Sequence, residues 1–146
     1  MAIKRTSEAE WTGSVTEGKG KIKLGSGAFE GAYSFDSRFG DDTVATNPEE
    51  LIAAAHAGCF TMALSATLGK VGFQPTKIET KAIVKLEKEG EGFVIPNIHL
   101  ETRAEVANIS DEEFQTLAKS AKENCPVSKV LAGAEISLKA VLISAE

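Results

Sequence analysis

The sequence predicts an α+β fold: antiparallel sheets packed around one long central helix. Three observations carry this. From Leu51 to Leu68 the chain has no charged residue, enough for a helix of roughly 30 Å with its caps included. Short runs of alternating apolar and polar residues stand on both sides, separated by glycine-rich turns. The order of runs is β-β-β-α-β-β-α-α-β, without the regular strand–helix alternation of an all-parallel sheet. At 146 residues the chain is read as a single domain, 1–146, large enough to bury most of its unfolded surface.

In chain order, Ala9–Val15 reads as a first strand and Gly18–Gly20 as a turn. Lys21–Leu24 sets Ile22 and Leu24 on one face, and Phe29–Phe35 makes a third strand. Asp36–Ala45 reads as a polar loop carrying Arg38, one of three arginines. The long helix has a clear start. Asn47 is a good N-cap, Pro48 suits the first helical position, and Glu49 and Glu50 favour the positive end of the dipole. Apolar all round, it should be buried on most sides, with Gly69 as its stop.

Beyond Pro75, Thr76–Glu89 alternates, with Ile78, Thr80, Ala82, Val84 and Leu86 on one face and charges on the other. A hairpin at Gly90–Gly92 returns as Phe93–Val106, interrupted at Pro96–Asn97. Ser110 to Glu113 is a capping box for a helix to about Lys122, with Phe114, Leu117 and Ala118 as its apolar stripe. Cys125 then caps a short helix, Pro126–Leu131, and Glu135–Ile143 closes the chain as a strand.

The bulk numbers are those of an ordinary globular protein, 42% apolar and 25% charged. A formal charge of −5 argues against nucleic acid or an anionic membrane as partner. The N-terminus has no apolar signal region, which favours the cytoplasm. The central helix is long enough for a bilayer, but its alanines, His56 and the lack of a basic flank favour a core helix. Two cysteines and two histidines make a poor structural zinc set. In a reducing compartment the thiols are either inert core residues or reactive ones.

Cys59 sits mid-helix. It is either a small buried hydrophobe or a nucleophile, and a low pKa there would need a nearby cation, most plausibly an arginine. Cys125 stands at a helix N-terminus, where backbone N–H groups favour a thiolate. His56 shares a helix face with Cys59 and reads as a core histidine with its own partner, or else as a base for the thiol. His99 is assigned nothing.

NPEELIAAAHAGCFTMAL, followed much later by NCPVSKVL, resembles the OsmC family, and the likeness runs over essentially the whole chain. The resemblance implies a thiol-dependent peroxidase that prefers organic hydroperoxides, on an OsmC-like fold forming an intertwined homodimer with active sites at the interface. It implies Cys59 as the peroxidatic cysteine and Cys125 as the resolving one. It implies Arg38 as the arginine holding the Cys59 thiolate and Glu49 as the glutamate orienting that arginine. In the sister branch, the organic hydroperoxide resistance proteins, the arginine comes in the N-terminal strands. Residues 6–37 contain none here, which favours the OsmC branch. The resemblance also suggests a dithiol reductant of lipoyl type, and no metal or organic cofactor.

The chemistry is coherent by itself. Peroxide reduction needs a thiolate, a cation for it and the leaving alkoxide, and a second thiol to trap the sulfenic acid. Phe60, Met62 and Leu64 could line a pocket for an alkyl tail. Glu49 and Cys59 are ten residues apart on one helix, about 15 Å along its axis. If both serve one site, Glu49 comes from the partner subunit. Two other readings compete: a small-molecule binding module with inert thiols, and a cysteine hydrolase using Cys59 and a histidine.

Overall fold

The protein is described by a computed structural model covering residues 1–143. The fold is α+β, and the chain forms two compact units, Met1–Leu51 and Ile52 onward.

The first unit is a three-stranded antiparallel meander: β1 (Ser7–Thr12), β2 (Lys19–Leu24) and β3 (Glu30–Tyr33). Gly20 is not in a turn, as expected, but inside β2, paired with Trp11 on one side and Tyr33 on the other. A Cβ at Gly20 would collide with both rings, so glycine lets Trp11 and Tyr33 meet edge to face at 5.3 Å. The third strand ends two residues early. Phe35–Phe39, assigned partly to that strand and partly to a loop, is a short helix, α1. Its cause is local: Ser37 N–H donates to Ser34 Oγ, and Ser34 N–H donates to Ser37 Oγ, a reciprocal cap. Arg38 therefore rides on a helix. Ser37 Oγ also donates to Thr46 O at 2.7 Å, and Asn47 Nδ2 to Ser37 O at 3.1 Å. These bonds tie α1 to the start of the long helix α2 (Pro48–Lys70). The cap there is the expected one, Glu50 N–H donating to Asn47 Oδ1 at 2.7 Å.

In the second unit α2 runs on to Lys70, past Gly69. The stop is Gly72, whose φ of +89° takes the left-handed turn, while Phe73 N–H reaches back to Leu68 O. The expectation of burial on most sides needs correction. One stripe, His56, Phe60, Leu64 and Leu68, is fully buried at a spacing of four. Another face, with Ala54, Ala55, Gly58, Met62 and Ala66, is exposed in the single chain.

The long hairpin resolves into four strands: β4 (Pro75–Val84), β5 (Glu87–Glu89), β6 (Gly92–Val94) and β7 (Asn97–Val106). The break at Pro96 falls where the sequence puts it. β5 and β6 form a small hairpin of their own, and β4 pairs antiparallel with β7. Strand β8 (Glu135–Ile143) has the expected bounds but pairs parallel to β7. The sheet is therefore mixed, not purely antiparallel, in the order β4-β7-β8. The helices α3 (Asp111–Asn124) and α4 (Pro126–Val130) supply the crossover that a parallel pair requires.

Central β7 alternates strictly, with Ile98, Leu100, Thr102, Ala104 and Val106 buried. Of these, Leu100, Ala104 and Val106 pack with Phe60, Leu64 and Leu68 of α2 and with Phe114, Ala118 and Ala121 of α3 into one apolar core. Thr102, the one polar residue on that face, donates to Glu79 O, and its hydroxyl lies 3.0 Å from that of Thr80. Thr80 Oγ1 in turn lies 2.7 Å from Thr61 Oγ1 on α2.

Candidate active site

Cys59 and Cys125, distant in sequence, come together in the second unit. Helix α2 carries Cys59 in its middle, one residue before the buried Phe60. Cys125 ends α3 and caps α4, because Pro126 cannot continue the first helix and is well placed to start the next. Their sulfurs share a hydrogen bond at 2.8 Å. Both are free thiols, Cys59 partly exposed and Cys125 fully buried.

The two thiols differ electrostatically. Burial raises the Cys59 pKa, and the hydrogen bond and charge of Cys125 raise it further, opposed by the Val127 N–H. Burial also works against a Cys125 thiolate. It is outweighed by hydrogen bonds from Cys59, from the Ser128 N–H and hydroxyl, and from the Val127 N–H, so the Cys125 pKa is lowered. Access and charge thus fall on different sulfurs. Cys59 is the partly exposed one, whereas the better thiolate in the single chain is Cys125.

His56 is a core histidine. Its ring is fully buried, its Nε2 lies 2.8 Å from Ser128 Oγ, and burial lowers its pKa. Among the described residues its Nδ1 has no hydrogen-bond partner. Among the described residues no acid orients it, so the main requirement of a cysteine hydrolase is not met there. His99 lies outside this cluster, with Nδ1 2.6 Å from Ser137 Oγ.

Arg38 and Glu49 also come together, in the first unit. Arg38 Nε donates to Glu49 Oε1 and Nη2 to Oε2, each at 3.0 Å, a bidentate pair. Glu49 is only 8% exposed. Its neighbour Glu50 points elsewhere and accepts from Thr46 Oγ1, so the two acids of the helix start have separate tasks. The Arg38 guanidinium also lies 5.1 Å from the centre of the Phe39 ring.

The expected pocket residues need correction. Phe60 and Leu64 are fully buried in the core, and Met62 faces outward. Instead, Trp11, Tyr33, Phe35, Phe39 and Arg38 border an apolar hollow of about 170 Å³ in the first unit. The alternation of β1 and β3 hinted at these aromatics, but only α1 brings Phe35 and Phe39 beside Arg38. The Ser128 contacts to His56 and Cys125 were also missed. The spacing Cys125-x-x-Ser128 was the available signal, since residues at N-cap and N3 face each other.

Among the described residues no cluster of histidine, cysteine and acidic side chains could hold a metal. A sequence profile described as OsmC-like protein matches residues 40–140. "Peroxiredoxin OsmC" of Escherichia coli (strain K12) is 45% identical over 139 residues, covering 94% of this chain and 96% of that protein. "Organic hydroperoxide resistance protein-like 1" of Staphylococcus saprophyticus is 33% identical over 100 residues, 67% of this chain and 70% of that one. The crystal structure of an organic hydroperoxide resistance protein from Elizabethkingia anophelis superposes with a TM-score of 0.71 at 26% identity, covering 99% of this chain and 100% of that one. The profile spans well over half of the sequence and the first relative nearly all of it, and the chain therefore belongs to the OsmC-like protein family.

Proposed function

We propose that this protein, a thiol peroxidase, reduces organic hydroperoxides through a Cys59 sulfenic acid that Cys125 resolves as an intrachain disulfide. Its standing as a thiol peroxidase with a role in hydroperoxide resistance follows from the relatives. The observation that carries the mechanism is the 2.8 Å approach of the two sulfurs, one accessible and one buried. In the first step the Cys59 thiolate attacks the distal peroxide oxygen, the O–O bond breaks, and the alkoxide leaves and takes a proton. In the second, Cys125 sulfur attacks Cys59 sulfur, and the S–O bond breaks to release water. A dithiol, of lipoyl type by family likeness, then reopens the disulfide.

Arg38 and Glu49 are the proposed cation and its orienting acid. The raised pKa of Cys59 in the single chain supports a need for such a cation. Glu49 precedes Cys59 by about 15 Å of helix, beyond a glutamate's reach. The pair is therefore assigned to the Cys59 of a second subunit in a homodimer. The exposed apolar face of α2 supports the dimer, since a helix without charges over this length favours a covered position. The aromatic hollow beside Arg38 suits the organic part of the substrate. The work is placed in the cytoplasm, as part of defence against oxidative stress.

The test is a thiol count on fully reduced protein after one equivalent of cumene hydroperoxide. Loss of two thiols per peroxide, with an intrachain disulfide by mass, is the expected result. Survival of both thiols in the folded protein would instead favour an inert binding module.

A further inference from the structure

The atom that this mechanism leaves unused is His56 Nδ1. It is buried, and among the described residues it has no hydrogen-bond partner, while Nε2 of the same ring lies 2.8 Å from Ser128 Oγ. A neutral imidazole carries one proton, and burial keeps this ring neutral. If the proton sat on Nδ1, a donor would be orphaned in the core. If it sits on Nε2, the orphan is only a lone pair, and buried orphan donors are the rarer kind. The proton therefore belongs on Nε2, which donates to Ser128 Oγ. The hydroxyl, having accepted from His56, keeps its own proton free, and Cys125 stands at the N-cap of α4, three residues before the buried Ser128, where N-cap and N3 side chains face each other.

We infer that His56 and Ser128 form a buried, one-way hydrogen-bond chain, His56 Nε2–H to Ser128 Oγ–H to Cys125 Sγ, that positions Cys125 for attack on the Cys59 sulfenic acid. The inference rests on the resolving role of Cys125. Both act as positioning residues, through Cys125. In the step they serve, Cys125 sulfur supplies the electron pair for the new S–S bond. The Cys59 S–O bond breaks, and the leaving hydroxide takes up a proton from solvent, the equal of the one Cys125 released on ionising, and departs as water. Cys125 is oxidised and the sulfenic sulfur is reduced. The Ser128 proton does not transfer. It holds the thiolate until attack, and His56 prevents the hydroxyl from turning away.

The experiment separates the two chemical steps. Reduced protein is mixed with cumene hydroperoxide, sulfenic acid formation is followed by trapping, and disulfide closure by quenched-flow mass analysis. In Ser128→Ala the first step should keep its rate, while closure slows roughly tenfold or more, the effect of losing a hydrogen bond to a charged group. Ser128→Thr should restore closure. His56→Phe should slow it, and His56→Gln, whose amide N–H can stand near the Nε2 position, should retain most of it. In the unmodified protein the imidazole nitrogen shifts in NMR should show the proton on Nε2. This last measurement stands even if a variant fails to fold. Closure at the wild-type rate in Ser128→Ala, or a proton on Nδ1, overturns the chain while leaving the peroxidase intact. A wild-type protein that closes no disulfide at all overturns both readings.

Discussion

Oxidation should make the protein more stable, by an amount set by the spacing of its cysteines. The perturbation is one equivalent of hydroperoxide, which is expected to join Cys59 to Cys125. The two residues are 66 positions apart, so the bond closes a long loop in the unfolded chain. Loop-closure entropy for that length destabilises the unfolded state by about 4 kcal/mol. Native geometry takes little of this back, because the sulfurs already lie 2.8 Å apart in the reduced protein. The expected gain is therefore most of the entropic value, or roughly 8–16 °C in the unfolding midpoint for a domain of this size. The assay is urea unfolding of reduced and oxidised protein at one fixed concentration, with Cys125→Ser treated alike as control. The control should show no gain. An oxidised protein with a verified intrachain disulfide and a gain below about 1 kcal/mol would refute the reasoning. The bond would then be costing the native state what it denies the unfolded one, and the close approach of the thiols would not be a prepared geometry.

Other outcomes follow from single contacts. Cys125→Ala removes both the hydrogen bond and the charge of Cys125 that raise the Cys59 pKa, leaving burial opposed by the Val127 N–H, so that pKa should fall; ultraviolet thiolate absorbance against pH reads it, and an unchanged or raised value would contradict the coupling. Arg38→Ala should slow the reaction of Cys59 with cumene hydroperoxide by roughly tenfold or more while leaving disulfide closure untouched, because the cation serves only the first step; equal slowing of both steps would count against that division. Phe114→Ala, in a fully buried position, should cost about 3–5 kcal/mol in chemical unfolding. Thr102→Val leaves Glu79 O and the Thr80 hydroxyl short of a partner at the sheet centre, at a cost of about 1–3 kcal/mol by the same assay.

What the sequence made legible was whatever a local rule governs. The start of α2 was readable because Asn47, Pro48 and the two glutamates each satisfy a different need of a helix N-terminus. Strand β8 was readable to the residue because Ile136, Leu138, Ala140 and Leu142 recur at every second position after the turn at Gly133. Helix α1 was not, since five residues show no apolar period and its cause is a pair of serines bonding each other. The parallel pairing of β8 was not either: alternation says that a strand has two faces and is silent on its neighbour. Gly69 looked like a stop, but a glycine ends a helix only where the chain adopts positive φ, and that happens at Gly72. In the site, the residue types were legible and their meeting was not. Spacing left both cysteines open between core and reactive roles, and only family likeness paired them. Arg38 and Glu49 were named the same way, and the bidentate contact supplies the geometry that the likeness could not.

The division of labour between the two sulfurs has a consequence for the order of events. In the reduced single chain the Cys59 pKa is raised and that of Cys125 lowered, so the hydrogen bonds around Cys125, those of the Val127 and Ser128 amides among them, favour negative charge there. That sulfur is buried, so a thiolate held there meets no peroxide. Attack requires the charge on Cys59, and a guanidinium brought to Cys59 would move it there without moving any heavy atom, since the proton need only cross a 2.8 Å hydrogen bond. Once Cys59 carries the sulfenic acid, it no longer competes for the charge. Cys125 then ionises into its own hydrogen bonds, facing the oxidised sulfur it must attack. In the proposed cycle the same pair of thiols is thus biased toward Cys59 before oxidation by a cation and toward Cys125 afterwards by Val127 and Ser128. A cation serving the first step and a buried hydroxyl serving the second are separable by substitution. Arg38→Ala and Ser128→Ala should therefore slow different steps, and the double variant should slow each step by the factor of its own single variant.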